Sequence, residues 1–358
     1  MKDTAIKLLK EIESFGFEAY IVGGFVRDHY FSLPASDIDI VTNAPLDMLK
    51  PYAVGDLSKN KIGFEVIIVE YEGCKFEVAS FRGDSIYDDL KRRDFNINSL
   101  AMCSDGVLIV PDDFDSSILK IGGAGEELFE EDPLRVLRGV RMAIKYDLDI
   151  EEETFLLMKK YASHISKIDT HRVYEEFMKG LSLNKWRSYL DLCYKVDIPF
   201  IIEEIPRGVS SMEDIHSRFL YVMMHQDKEL LEKYLRIPNE MMDLHRFYLK
   251  CWEMFFYKPC EDYDLYEYLS RNEDYYKYSV PIYKDSGFHN IVNVCDAVIY
   301  AGNLNKELFV TGKNVCEILN IPPSPRVGWL IKEANRIIMK SSSYVNKIEL
   351  LHTLKHFV

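Results

Sequence analysis

Apolar residues recur at helical spacing near the N-terminus, at Ile6, Leu8, Leu9, Ile12 and Phe15, with Asp3 placed to cap the helix and Gly16 to stop it. The short run Ala19-Tyr20-Ile21-Val22 predicts a strand, and Gly23-Gly24 then opens a second helix. Ile38 to Val41 alternates with aspartates and reads as a strand edge. Residues 65–71 and 75–81 are β-rich and joined by Glu72-Gly73-Cys74, the pattern of a hairpin. Residues 107–110 and 118–121 are further short strands. After Gly125 strand signals nearly vanish and helical periodicity runs to the end, through Leu134, Leu137, Val140 and Ile144, then 155–161 and 173–181.

This pattern predicts an α+β chain, with a small mixed sheet in residues 1–125 and helical segments after it. Further boundaries fall near Pro206-Arg207-Gly208 and between Pro281 and Gly302, giving divisions 1–125, 126–205, 206–300 and 301–358. Composition narrows the class. The 358 residues are 47% hydrophobic and 28% charged, which suits a globular chain of two or three domains. No window approaches 18 uninterrupted apolar residues, and the first residues lack an apolar signal core, so the expectation is a protein that neither spans a membrane nor is secreted. Seven scattered cysteines with no C-x-x-C pair argue against a zinc site or a disulfide framework and suit a reducing cytoplasm. A net charge of −14 means that any contact with nucleic acid requires a local basic surface.

Three blocks carry chemistry. The first is Gly23-Gly24-Phe25-Val26-Arg27-Asp28, followed by Asp37-Ile38-Asp39. Gly-Gly between a strand and a helix is either a tight turn or a phosphate cradle of free N–H groups. Asp-x-Asp on a strand puts both carboxylates on one face, which is costly unless a cation sits between them, and Mg²⁺ favours carboxylates together with substrate phosphates. The second is Lys91-Arg92-Arg93-Asp94-Phe95-Asn96-Ile97-Asn98, which reads as a basic turn ahead of an Asn-rich apolar helix. The third is Glu131-Asp132-Pro133-Leu134-Arg135, with Arg138 and Arg141 following at spacing three along a helix; the alternatives are a salt-bridged surface helix and a polyanion site.

In this order the blocks resemble the tRNA nucleotidyltransferase/poly(A) polymerase family of the polymerase-β superfamily, class II. His171-Arg172-Val173-Tyr174-Glu175-Glu176-Phe177 looks like the family's neck motif, and Thr311-Gly312-Lys313-Asn314 through Gly328 looks like its tail motif, with Ser324 where a Gly is more usual. The resemblance implies a nucleotidyltransferase head followed by helical neck, body and tail. It implies that Asp37 and Asp39 hold two Mg²⁺, with Glu77 a candidate third acid. It implies further that Gly23, Gly24, Arg27 and Arg93 bind the triphosphate, that Asp94 lies near the ribose, and that Asp132 and Arg135 read the base with Glu131 orienting Arg135. Arg138 and Arg141 would complete the pocket. The implied substrates are CTP, ATP and the 3′ end of tRNA.

The base-reading pair also has a residue-level argument. A carboxylate only accepts and a guanidinium only donates. Cytosine and adenine each offer a donor beside an acceptor in the matching order, whereas guanine and uracil reverse it. Asn60-Lys61-Ile62-Gly63-Phe64 lacks the arginine-rich run of the family's bacterial poly(A) polymerases, which favours tRNA end maturation over poly(A) synthesis. Intact Asp37, Asp39, Asp132 and Arg135 speak against an idle RNA-binding protein. The link from Gly83 to Lys91 is short where CCA-adding members carry a long flexible loop with basic residues, so the expectation leans towards addition of CC rather than CCA, with Asp84, Asp88 and Asp89 repelling an incoming triphosphate. For tRNA, the basic tail residues Lys313, Arg326, Lys332, Arg336 and Lys340 are the candidate contacts, the alternative being a helix with snorkelling lysines.

Overall fold

Helix α1 (Lys2–Ser14) buries Ala5, Leu8, Leu9 and Ile12, as its periodicity predicts, but Asp3 sits inside the first turn and Met1 takes the cap position. The structure is a computed structural model. It describes the chain except residues 36, 56–57, 60–64, 205, 207–211, 258–259, 342–344 and 357–358. Residues 60–64, on which the choice against poly(A) synthesis rests, and the boundary at Arg207-Gly208 therefore lie outside the described residues.

Strand β1 (Ala19–Val22) is followed by helix α2 (Gly24–Tyr30) and strand β2 (Asp39–Thr42). A two-residue strand β3 (Ser58–Lys59) precedes the predicted hairpin, β4 (Glu65–Tyr71) and β5 (Cys74–Ser80). Helix α3 (Ile86–Lys91) then leads to β6 (Ala101–Met102) and β7 (Leu108–Ile109). The sheet order is β3-β4-β5-β2-β1-β6-β7, with β2 and β5 parallel and the other pairs antiparallel. So the Asp-bearing strand β2 is central, not at an edge, because β5 returns beside it. One face of the sheet, with Ile21, Ile40, Phe76 and Val78, packs on α1 and α2. The other, with Val22, Val41 and Phe81, is covered by Ile86 and Leu90 of α3.

The α+β expectation holds, since the rest is helical apart from one stitch. Strand β8 (Ile118–Leu119) pairs in parallel with β9 (Asp149–Ile150). Between them lie α4 (Glu127–Glu131) and α5 (Arg135–Tyr146). Then follow α6 (Glu152–Ala162), α7 (Thr170–Leu181), α8 (Trp186–Lys195), α9 (Ile215–His225) and α10 (Lys228–Tyr234). The chain continues with α11 (Asn239–Phe256), α12 (Asp262–Arg271), α13 (Glu273–Asp285) and α14 (His289–Asn305). It ends with α15 (Gly312–Leu319), α16 (Pro325–Lys340) and α17 (Lys347–Lys355).

Two compact units result. The first comprises Met1–Ile205 and Gln226–Arg236, so α10 returns to it after α9. There Leu231 is fully buried and the Arg236 amide donates to the Thr170 carbonyl at 3.1 Å. The second comprises Pro206–His225 and Ile237–Val358. In it α15, α16 and α17 close around Val315, Leu330, Ala334, Ile338 and Leu351.

Candidate functional site

A cleft of about 490 Å³ opens in the first unit. Its lining includes Gly23, Gly24, Arg27 and Asp39 from the sheet and its first turn, with Arg93, Asp94 and Asn98 from the second block. From the C-terminal cap of α4 comes Asp132, and from α5 come Arg135, Arg138, Arg141 and Met142. Arg82 and Arg172 complete it, so seven arginines face three aspartates within an acidic chain. Such a lining concentrates positive potential where a polyanion would enter. Of the residues predicted for nucleotide and catalysis, Asp37, Glu77 and Glu131 do not line the cleft.

Local geometry places each group. Gly23 has φ 75°, and a Cβ there would lie 2.7 Å from Asp39 Oδ2, so only glycine lets the turn pass beside that carboxylate. Asp39 is opposite Glu77 in the parallel register of β2 and β5. Asp39 is half-buried, whereas Asp37 and Glu77 are exposed. Burial first, then Glu77 and Asp37 against the opposing Arg93 and Arg27, push the Asp39 carboxyl up to about 6. Among the described residues no group of three or more His, Cys, Asp or Glu side chains is gathered to hold a metal ion. A pair of carboxylates such as Asp37 and Asp39 is a donor set that suits a hard cation whose other ligands are substrate phosphates and water.

The second block is not the predicted helix. Arg92 caps α3, Asn96–Asn98 is a single 3₁₀ turn, and β6 follows. Side chains replace the helix as the organising device. Asp94 Oδ1 accepts from Asn98 Nδ2 at 2.6 Å and its Oδ2 from Arg138 Nη1 at 2.9 Å. Burial works to raise Asp94, but Arg138 and Asn98 outweigh it and hold the carboxyl below its ordinary value. Gly122 packs against this segment so closely that a Cβ would lie 1.9 Å from the Arg93 carbonyl oxygen.

In the link 83–91 it is the role of the acids that departs from expectation. It is folded into α3, whose N-terminus Ser85 caps by accepting from the Asp88 amide at 3.3 Å. Asp89 is fully buried and accepts from Arg93 Nε at 3.0 Å and Nη2 at 2.7 Å, and from the Arg82 amide at 3.2 Å. Asp88 accepts from the Ser85 hydroxyl at 2.7 Å. So Asp88 and Asp89 are not free acids facing the cleft. Asp89 instead fixes a cleft arginine.

On the third block, Arg135 is buried and donates to Glu131 at 3.2 Å and to the Leu128 carbonyl. Asp132 accepts from Arg172 Nη2 at 2.7 Å, a residue of the neck motif that carries no role in the sequence reading. Arg141 Nε donates to the buried Glu176 at 2.6 Å. Arg82 and Asn98 were also unassigned. Arg82 ends the strand segment that carries Glu77, and Asn98 falls in the Asn-rich block, so position alone was their signal.

The expected tail cations have partners within the second unit. Lys332 lies 3.2 Å from Asp264, Arg336 pairs with Asp264 and with Glu333, and Lys340 pairs with Glu261. Arg326 donates to the Lys355 carbonyl at 2.9 Å, and Lys313 is 3.9 Å from Glu317. Helix α12 and the residue before it thus supply the balancing charge, through Asp264 and Glu261.

The family model "Poly A polymerase head domain" matches residues 19–114, and "Probable RNA and SrmB- binding site of polymerase A" matches residues 147–198. A CCA-adding enzyme of Streptococcus agalactiae is 27% identical, covering 99% of this chain and 96% of its own. One from Streptococcus sanguinis is 28% identical, covering 94% and 92%. In fold, the chain is similar to the Bacillus stearothermophilus CCA-adding enzyme in complex with CTP, with TM-score 0.75, 20% identity and coverage of 99% and 97%. The Thermotoga maritima CCA-adding enzyme complexed with tRNA gives TM-score 0.71, 18% identity and coverage of 98% and 94%.

Proposed function

The chain belongs to the tRNA nucleotidyltransferase/poly(A) polymerase family, and from that premise we propose that it extends the 3′ end of tRNA with CMP and then AMP, taken from CTP and ATP without a template. The observation that carries this reading is the cleft, which unites Asp39 with arginines from all three blocks. Residues 1–125 act as head, 126–205 as neck with 226–236 packed back on it, the rest of 206–300 as body and 301–358 as tail.

Arg27 and Arg93 hold the triphosphate, and Gly23 and Gly24 let it approach the backbone. Asp94, fixed by Asn98 and Arg138, meets the ribose side. Asp132 accepts from the amino group of cytosine or adenine while Arg135 donates to the ring nitrogen, and Arg138 and Arg141 close the pocket. A base with the reverse pattern leaves buried polar groups unpaired, which costs about 1–3 kcal/mol for each. Mg²⁺ bound at Asp37 and Asp39 would supply charge stabilisation for an in-line displacement of pyrophosphate. Glu77, beside Asp39, tunes that carboxylate. The tail cations Lys313, Arg326, Lys332, Arg336 and Lys340 contribute to tRNA binding. Seven cysteines without a C-x-x-C pair support a reducing, cytoplasmic site of action.

A second reading, arrest after two cytidines, is favoured by one observation: the link 83–91 is a capped helix anchored through Asp89 rather than a free loop. One experiment tests both. The protein is incubated with tRNA lacking its last three nucleotides, with each nucleoside triphosphate alone and with CTP plus ATP, and the products are sized. Extension by three with CTP plus ATP supports CCA addition, and arrest at two supports CC addition. Indiscriminate use of UTP or GTP, or no extension, overturns the proposal.

A further inference from the structure

Tyr146 ends α5, and its ring packs against Phe31 with centroids 4.9 Å apart. Its hydroxyl lies between two charged side chains of α2. It accepts from Arg27 Nε at 2.5 Å and donates to Asp28. Lys145 Nζ reaches the same carboxylate at 3.2 Å. Burial keeps the phenol well above its ordinary value, so the hydroxyl remains a donor.

Arg27 is itself 9% exposed, so its donors must find fixed partners. Nε is taken by Tyr146 and Nη1 by Asn98, and Nη2 lies 3.4 Å from the Cβ position of Gly24. The fork is thereby aimed at the Gly23-Gly24 turn. The chain of bonds continues from Asn98 to Asp94 and back to Arg138 on α5. Arg27 Nε is also 3.4 Å from Asp28, too far for a strong bond while Tyr146 intervenes. Without the hydroxyl, the direct Arg27–Asp28 ion pair becomes the better arrangement and turns the fork away from Asn98 and the cleft.

We propose that Tyr146 is a positioning residue that holds Arg27 apart from Asp28 and aims its guanidinium at the phosphates of the incoming nucleotide. Asn98, itself held by Asp94, braces the same fork on its other side. The proposal rests on the reading of Arg27 as a phosphate ligand.

Tyr146→Phe removes the hydroxyl and keeps the ring, so the fold is retained. The assay is CMP incorporation into tRNA lacking its end, with inhibition by pyrophosphate and by the nucleoside cytidine measured beside it. A hydrogen bond to a charged group sets the scale: the KM for CTP and the Ki for pyrophosphate should rise about ten- to hundredfold, with kcat within about twofold and the Ki for cytidine unmoved. An unchanged Ki for pyrophosphate, or an equal rise for cytidine, overturns the proposal. Arg27→Ala separates the two levels. If it keeps pyrophosphate inhibition, the phosphate role of Arg27 fails and the proposal with it. If it loses that inhibition while Tyr146→Phe does not, Tyr146 alone is wrongly assigned.

Discussion

At the scale of single residues, the Asp39 carboxyl offers a direct readout. Its raised value, about 6, means that folding favours the protonated form. In protein free of divalent ions, this contribution to stability is complete below about pH 4 and is lost as pH rises through about 6. Asp39→Asn should flatten that part of the pH dependence of Tm. At neutral pH, added Mg²⁺ should raise Tm in the wild-type chain but not in the variant; equal shifts in both would remove Asp39 from the cation site. Base selection is read at the same scale. Asp132→Asn combined with Arg135→Ala replaces a fixed acceptor and a fixed donor, so UTP or GTP should enter in competition assays against CTP. A slower enzyme with its preference for C intact would move base recognition elsewhere, with Arg172, already on Asp132, the first place to look.

Among the elements, the turn 122–124 holds the second block in place. The Gly122 amide donates to the Asp94 carbonyl at 3.0 Å, and the Ala124 amide to the Lys91 carbonyl at 3.1 Å. Gly122→Ala would drive a methyl into the Arg93 carbonyl, and backbone cannot yield as a side-chain tip does. The expected outcome is a loss of about 1–3 kcal/mol in stability by denaturant titration. A rise in the KM for CTP should accompany it; normal values of both would show that the turn tolerates a side chain. Elements with a local cause were legible in the sequence. Helix α1 and the β4–β5 hairpin follow from period and turn chemistry. The stretch 96–98 was misread as helix because its order comes from bonds to residues far along the chain. The Asn96 side chain, for instance, donates to the Ile118 carbonyl at 2.8 Å. The central place of β2 likewise depends on β5 returning beside it, which no local pattern encodes.

For the molecule as a whole, the cleft was legible because each of its three blocks is a contiguous motif, whereas the charge state of the tail was not. Lys332 and Arg336 look like an open basic face in sequence, yet their shared acid, Asp264, lies in a different helix. Asp264→Asn should release Lys332 and leave Arg336 on Glu333 alone, tighten tRNA binding and steepen its dependence on salt by up to about 1 in the log–log slope. Titrations at several salt concentrations check this, and an unmoved slope would place the tRNA contact away from α16. The return of α10 has a different consequence, for heredity rather than chemistry. Because residues 226–236 belong with 1–205, a gene cut once at position 205 severs the first unit from a part of its own core, including Leu231. Exchange of the C-terminal half between related genes at a single breakpoint there should therefore yield insoluble chimaeras. A breakpoint at 237 leaves the first unit whole, though it carries α9 with it, and such hybrids are the ones expected to survive recombination.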